Sequence, residues 1–440
     1  MYEMNEWKRR FTIIAKVNER IPINPTRRWV VKIKYLILVL LISVAVGSAA
    51  WEAVGPYGGN IRPVMLSFSN DNIVYIASYT YPAQIAKSTN GGTSWTTVGS
   101  VSGNALCGAV DPTNHDKVYI GSGSYFYRST NGGANWSSAY VANTQPYGLV
   151  VNPITPSTIY AGGYAYDNTR WRLSFMKSTD SGVNWTNTYM YDSAGYGYGI
   201  AIDRANPNTI YVCGYSYYNS TYVPLIYKST DGGTGWTLVS ASIPATAYYI
   251  NSIMVHPTNP NIVYAGAWSG IYRSTDAGAT WTQMNTHYYN YGLAASPAAP
   301  NVCYAGGYND IYKTTDAGVT WFSASTGFQG INPYSIAMSQ SNAALTYYGD
   351  TKGIFKTTDG GTNWFDSNNN LNIGSIGSFS IAPSSCSTIY TSFKEVGVFK
   401  TTNNGSSWTL LPTPVSCGNI CEFAVQNNNP NVVYALEGSG

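Results

Sequence analysis

An eight-residue string occurs eight times along the chain and limits what the chain can fold into. STNGGTSW at residues 88–95 recurs as STNGGANW, STDSGVNW, STDGGTGW, STDAGATW, TTDAGVTW, TTDGGTNW and TTNNGSSW. The closing tryptophans, Trp95, Trp136, Trp185, Trp236, Trp281, Trp321, Trp364 and Trp408, stand 41, 49, 51, 45, 40, 43 and 44 residues apart. That period is the length of one four-stranded propeller blade. Residues 251–281 show the unit best: SIMV, the turn HPTNPN, then IVYAGA, IYRS, the string, and a strand opening at Trp281. Short β-branched or aromatic runs bounded by Gly, Pro, Asn and Asp read as strands, and no segment after Ala50 sustains a helical period.

The string's chemistry suits a tight turn between the third and fourth strands. A glycine such as Gly278 supplies positive φ, Asp276 accepts turn amides, the Ser274 hydroxyl pins the neighbouring strand, and the tryptophan covers the hairpin. The acceptor position holds Asn90, Asn131, Asp180, Asp231, Asp276, Asp316, Asp359 and Asn403. Asn in three of eight copies keeps the acceptor and drops the charge, which suits a fold role and not a metal or catalytic one. The string resembles the Asp-box, or BNR repeat, of sialidases, xyloglucan-degrading endoglucanases, sortilin-type ectodomains and photosystem II assembly factors. That resemblance implies a β-propeller from Trp51 to Gly440 and says little about function, since the fold hosts many.

Counting strings gives eight complete blades. WEAV at 51–54 matches a fourth strand, and the segments around 420–425 and 432–436 match a first and a second. The expectation is therefore an all-β propeller of eight complete blades plus a partial closing blade after an N-terminal hydrophobic helix. A second expectation is that the sequence is part of a longer protein.

Residues 1–34 carry nine Lys and Arg and three acids, followed by the apolar run YLILVLLISVAV at 35–46 and the small residues 47–50. This is an export-signal pattern, with cleavage expected after Ala50, before Trp51; an uncleaved membrane anchor is the alternative. The run is short for a membrane span, which needs about 20 apolar residues. The division is thus 1–50 signal or anchor and 51–440 propeller, with the propeller secreted or at the cell surface. The whole chain has 24 basic and 21 acidic residues, and removing 1–34 leaves 15 against 18, so no nucleic-acid partner is expected. Six cysteines are sparse for an exported chain. A disulfide among Cys386, Cys417 and Cys421 is possible, and their spacing lacks the second cluster a zinc site needs, so neither metal nor cofactor is expected.

Outside the repeat little ionic chemistry remains. A basic residue precedes every string (Lys87, Arg128, Lys177, Lys228, Arg273, Lys313, Lys356 and Lys400), which reads as a paired or solvated strand position, the alternative being a functional basic ring. His256 takes the turn place assigned to Asp111, Asn152 and Asn206. Loop length varies on the face opposite the strings, where tyrosines gather over blades three to five. A tyrosine-rich surface with Asn, Ser and Gly suits adaptable recognition. The expected activity is non-catalytic binding of a protein or glycan through Tyr166, Arg170, Trp171, Tyr191, Tyr217 and Tyr289. The alternative is a glycoside hydrolase of the xyloglucan-endoglucanase kind using Asp167 and Asp192, since inversion needs two carboxylates roughly 6.5–9.5 Å apart. A third reading is an assembly factor for a membrane complex, touching the membrane only through an uncleaved N-terminal segment.

Overall fold

Each period folds into four antiparallel strands in simple meander order. The computed structural model describes residues 60–190, 194–218, 220–327, 334–368, 376–382, 385–393, 397–403, 408–411, 420–426, 429–431 and 433–437, all in one compact unit, Val54–Gly440. The expected export segment at 1–50 and the strand at 51–54 lie outside the described residues.

Seven blades close a ring, and this corrects the count of eight complete blades plus a partial closing one. They span residues 61–101, 107–140, 144–189, 195–238, 250–283, 292–323 and 335–366. Their innermost strands are Ile61–Leu66, Cys107–Asp111, Thr144–Val151, Gly195–Ile202, Ile250–Val255, Gly292–Ser296 and Ser335–Met338. Blade seven packs directly on blade one. The Trp95 Nε1 donates to Ser367 O at 2.5 Å, the Ser335 hydroxyl accepts from Val64 N at 3.1 Å, and Asp71 accepts from the hydroxyls of Ser339 at 2.5 Å and Ser341 at 3.0 Å. One apolar cluster joins Ile61, Val74, Ile76 and Trp95 to Leu345, Tyr347 and Ile354. The eighth string belongs to a further sheet (Ile376–Ala382, Ser385–Phe393, Gly397–Thr401, Thr409–Leu410), which packs on the two-stranded sheet Ile420–Val425 and Val433–Glu437 outside the ring. A ring closes when its end faces fit each other, and the number of repeats does not set that number.

The basic residue before each string stitches this ring. Lys177, Lys228, Lys313 and Lys356 donate Nζ to the carbonyls of Gly232, Ala277, Gly360 and Gly91 at 2.7 to 2.9 Å, and Arg273 Nε donates to Ala317 O at 2.8 Å. Each acceptor belongs to the repeat turn of the next blade. Lys356 reaching Gly91 is the step from blade seven back to blade one. Arg128 reaches Ser181 O at 3.5 Å and Lys87 pairs with Asp116 at 3.4 Å. Strand-two tyrosines fill the same seams: Tyr75, Tyr160, Tyr211, Tyr264, Tyr304 and Tyr347 are fully buried, and the Tyr264 hydroxyl donates to Ala317 O.

Inside the repeat turn the Ser274 hydroxyl accepts from Gly278 N at 2.8 Å and donates to Asp276 Oδ1 at 2.7 Å, while that oxygen accepts from Thr280 N at 2.8 Å. Gly278 has φ of 93°, as the turn requires. Asn90 and Asn131 accept the equivalent amides of Ser94 and Asn135 at 2.9 Å. Hydrogen bonds from the residue four positions on hold the carboxyls of Asp180, Asp276, Asp316 and Asp359 down from 3.8 to about 2. A folded value below the unfolded one means stability that is present above about pH 4 and lost as pH falls towards 2. Replacing these four Asp with Asn, the residue at positions 90 and 131, is expected to flatten the dependence of the urea midpoint between pH 4 and pH 2. A slope equal to that of the parent chain counts against the account.

His256 sits in the first turn of blade five, its Nδ1 accepting from Asn259 N at 3.1 Å, as Asn152 Oδ1 accepts from Thr155 N at 2.9 Å. In blade four that place belongs to Asp203, whose amide meets Thr209 O at 3.0 Å as His256 N meets Ile262 O at 2.9 Å, and not to Asn206. Cys107, Cys213 and Cys303 are buried free thiols; the side chains of Cys386, Cys417 and Cys421 lie outside the described residues.

Candidate functional site

The seven inner strands surround an axial channel of about 300 Å³. Residues 64–66, 108–110, 149–151, 200–202, 253–255, 293–295 and 336–338 line it, and every one is apolar. At the repeat-turn end, Pro112, Pro153, Pro257 and Pro297 follow the turn acceptor in four blades, whereas the other three carry Phe68, Arg204 and Gln340. These three meet: Arg204 Nη1 donates to Gln340 Oε1, and its guanidinium carbon lies 5.4 Å from the Phe68 ring centre. Burial pulls the Arg204 pKa down, and its contacts tie blade four to blades one and seven across this end of the channel.

The opposite end opens into a cavity of about 480 Å³ lined by Arg62, Leu106, Tyr147, Tyr198, Tyr215, Tyr222, Tyr249, Asn251, Tyr291 and Tyr334. Arg62, Leu106, Tyr147, Tyr198, Asn251, Tyr291 and Tyr334 each stand two positions before the apolar triplet of their own strand. One strand register, repeated by seven blades, thus brings four tyrosines to a single mouth, and strands two and three of blade four add Tyr215 and Tyr222. Pairing is broken between Ile61 and Val64, and Arg62 sits in that bulge.

The rings form a continuous belt. Tyr164 lies 5.2 Å from Trp171 and 5.1 Å from Tyr196, Tyr196 5.3 Å from Tyr215, and Tyr215 5.5 Å from Tyr249. Tyr248 reaches Trp268 at 4.6 Å, Trp268 meets Tyr289 at 5.7 Å, Tyr289 meets Tyr291 at 5.9 Å, and Tyr291 meets Tyr334 at 5.2 Å. The belt ends at Arg62, whose guanidinium carbon lies 4.5 Å from the Tyr334 ring centre and 3.8 Å from that of Tyr79. Burial pushes the Tyr249 hydroxyl up to about 12 and those of Tyr198 and Tyr291 higher still. These phenols stay neutral and able to donate at any physiological pH.

Of the residues expected to contact a ligand, Tyr166, Trp171, Tyr217 and Tyr289 lie on the rim and none lines the cavity. Tyr166 and Trp171 pack at 5.3 Å, Tyr217 is 46% exposed and 4.7 Å from Tyr222, and Arg170 is exposed at the tip of its turn. Tyr191 and Asp192 lie outside the described residues. The Asp167 carboxylate is a turn lock: it accepts the Thr169 hydroxyl at 2.5 Å and the amides of Thr169 and Arg170 at 2.8 Å, and pairs with Arg172. These bonds, the Thr169 hydroxyl first, hold its pKa far below the usual carboxylate range, so it carries no proton to give near neutrality. Loop length pointed to the rim; Tyr147, Tyr334 and Arg62, in blades three, seven and one, were found only by setting the inner strands in register.

No family model matches the chain, and no curated protein matches it. Solved propellers are similar to it. A GH74 xyloglucanase from Xanthomonas campestris is 14% identical, with a TM-score of 0.62 over 86% of this chain and 71% of that one. YCF48 from Cyanidioschyzon merolae is 14% identical, with a TM-score of 0.50 over 70% of this chain and 98% of its own. A structure of YCF48 bound to D1 peptide is 15% identical, with a TM-score of 0.49 over 71% of this chain and 96% of that one. At these identities the likeness is one of fold.

Proposed function

We propose that this chain is an exported binding propeller of the Asp-box kind, secreted or held at the cell surface, that takes a protein or glycan ligand at its tyrosine-rich face. The observation that carries this reading is the mouth itself, where the described residues of the lining supply seven tyrosines, one guanidinium, one amide and no carboxylate. Aromatic faces and neutral hydroxyls recognise; they supply neither the acid nor the base of hydrolysis. Asp167, tied into its own turn, supports binding over a glycosidase reaction. The export part rests on the sequence of residues 35–50.

The test is a glycan and peptide array probed with residues 51–440, followed by titration of the best ligand. Tyr249→Ala and Tyr334→Ala are expected to weaken it about tenfold or more each, which is about 1.4 kcal/mol. Tyr81→Ala, at a tyrosine that is 75% exposed and outside the cavity lining, is expected to leave affinity unchanged. Equal affinity in all three variants places the ligand elsewhere, and turnover of a bound glycan ends the non-catalytic reading.

A further inference from the structure

Arg62 is out of keeping with the rest of the mouth. Among the described residues of the lining it is the one cation, and none of them is an acid. The rings of Tyr79 and Tyr334 occupy its faces at 3.8 and 4.5 Å, so only the edge of the guanidinium is left to donate. On that edge Nε is buried and has no acceptor. A buried donor without an acceptor is unfavourable, the more so on a charged group, and stacking against rings does not satisfy it. An edge-on guanidinium presents two parallel N–H groups that match the two oxygens of a carboxylate or sulfate.

Other groups that line the same cavity point the same way. Tyr198 and Tyr291 keep their protons at any physiological pH, and Asn251 adds an amide donor. Hydroxyl and amide donors in one cavity with a guanidinium favour an oxyanion. Among the described residues of the lining Leu106 is the only aliphatic side chain, and tyrosine rings and hydroxyls suit a polyhydroxylated sugar ring.

We infer that the mouth takes an anionic glycan, with a carboxylate or sulfate of one sugar lying edge-on against Arg62. This rests on the reading of the mouth as the binding site and adds the charge of the ligand. Calorimetric titration of residues 51–440 separates the two. The probes are trigalacturonate, its methyl ester, sucrose octasulfate and a polyglutamate peptide. Trigalacturonate is expected to bind at least tenfold more tightly than its ester, and Arg62→Gln is expected to remove that preference, so that acid and ester bind alike. Arg62→Lys, which keeps the charge and loses the fork, is expected to fall between the two. Preference for sucrose octasulfate alone, lost in Arg62→Gln, supports the inference with sulfate as the source. Acid and ester binding equally, with both weakened by Tyr249→Ala, overturns the anionic inference and leaves the binding reading intact. Tightest binding to polyglutamate overturns the glycan. Binding of no glycan probe overturns the inference, and an array that is blank as well overturns the binding reading. A thermal melt of Arg62→Gln matching that of the parent chain assigns any loss to the site and not to unfolding.

Discussion

Ending the chain after Asn368 is expected to leave a ring that unfolds in one cooperative step, while ending it after Gly327 abolishes that step. The first cut keeps the contacts that close blade seven on blade one, including the Ser367 hydroxyl donating to Gly92 O at 2.5 Å. The second removes Leu345, Tyr347 and Ile354 from the cluster they share with Ile61, Val74, Ile76 and Trp95, and strips Trp95 Nε1 of its acceptor. Each of those buried side chains is worth about 1.5–3 kcal/mol when covered. Exposing several together rivals the ~5–15 kcal/mol by which a domain is stable at all. Urea unfolding followed by tryptophan fluorescence reads the result. A cooperative transition in the shorter chain, or none in the longer, is incompatible with a seven-blade ring.

Which features the sequence discloses follows from how local their causes are. The repeat turn needs a glycine at positive φ, a short acceptor and a hydroxyl within a few residues, so Ser274, Asp276 and Gly278 declare it without help from the rest of the chain. Ring closure is a property of two faces more than 250 residues apart. No local signal tells Trp95, which donates across the closing seam, from Trp408, whose sheet lies outside the ring. Tyrosine shows the same divide. Tyr211 and Tyr264 stand in second strands and fill seams; Tyr147, Tyr291 and Tyr334 stand at the entry to first strands and line a cavity. Residue type cannot separate these roles, but position within the period does. Arg62 occupies the register of Tyr147 and Tyr334, and a seven-row alignment of the inner strands would have placed it at the mouth.

Gly214→Ala is expected to be the most damaging single methyl on the mouth side of the ring. Gly214 pairs with Gly197, between the pairs Tyr196 with Tyr215 and Gly199 with Cys213, beside the irregularity at Gly197 to Gly199. A Cβ at Gly214 meets the carbonyl oxygen of Tyr196, with Gly197 Cα and Tyr196 C at 2.8 Å. All three are backbone atoms of the paired strand, so no rotamer change relieves the contact and the strand itself must move. Overpacking of this kind costs about 1–3 kcal/mol, and an immovable neighbour puts it at the upper end. The displaced strand carries Tyr196 and Tyr198 and faces Tyr215, so the mouth shifts with it and ligand affinity falls along with stability. Gly123→Ala is the control: its φ of 55° strains an alanine, but no atom lies within 4 Å of the added methyl. There the loss is about 1 kcal/mol from the backbone alone, with affinity unchanged. Urea midpoints and the near-ultraviolet tyrosine signal distinguish the two variants. Equal losses mean that close strand approach in blade four does not position the tyrosines.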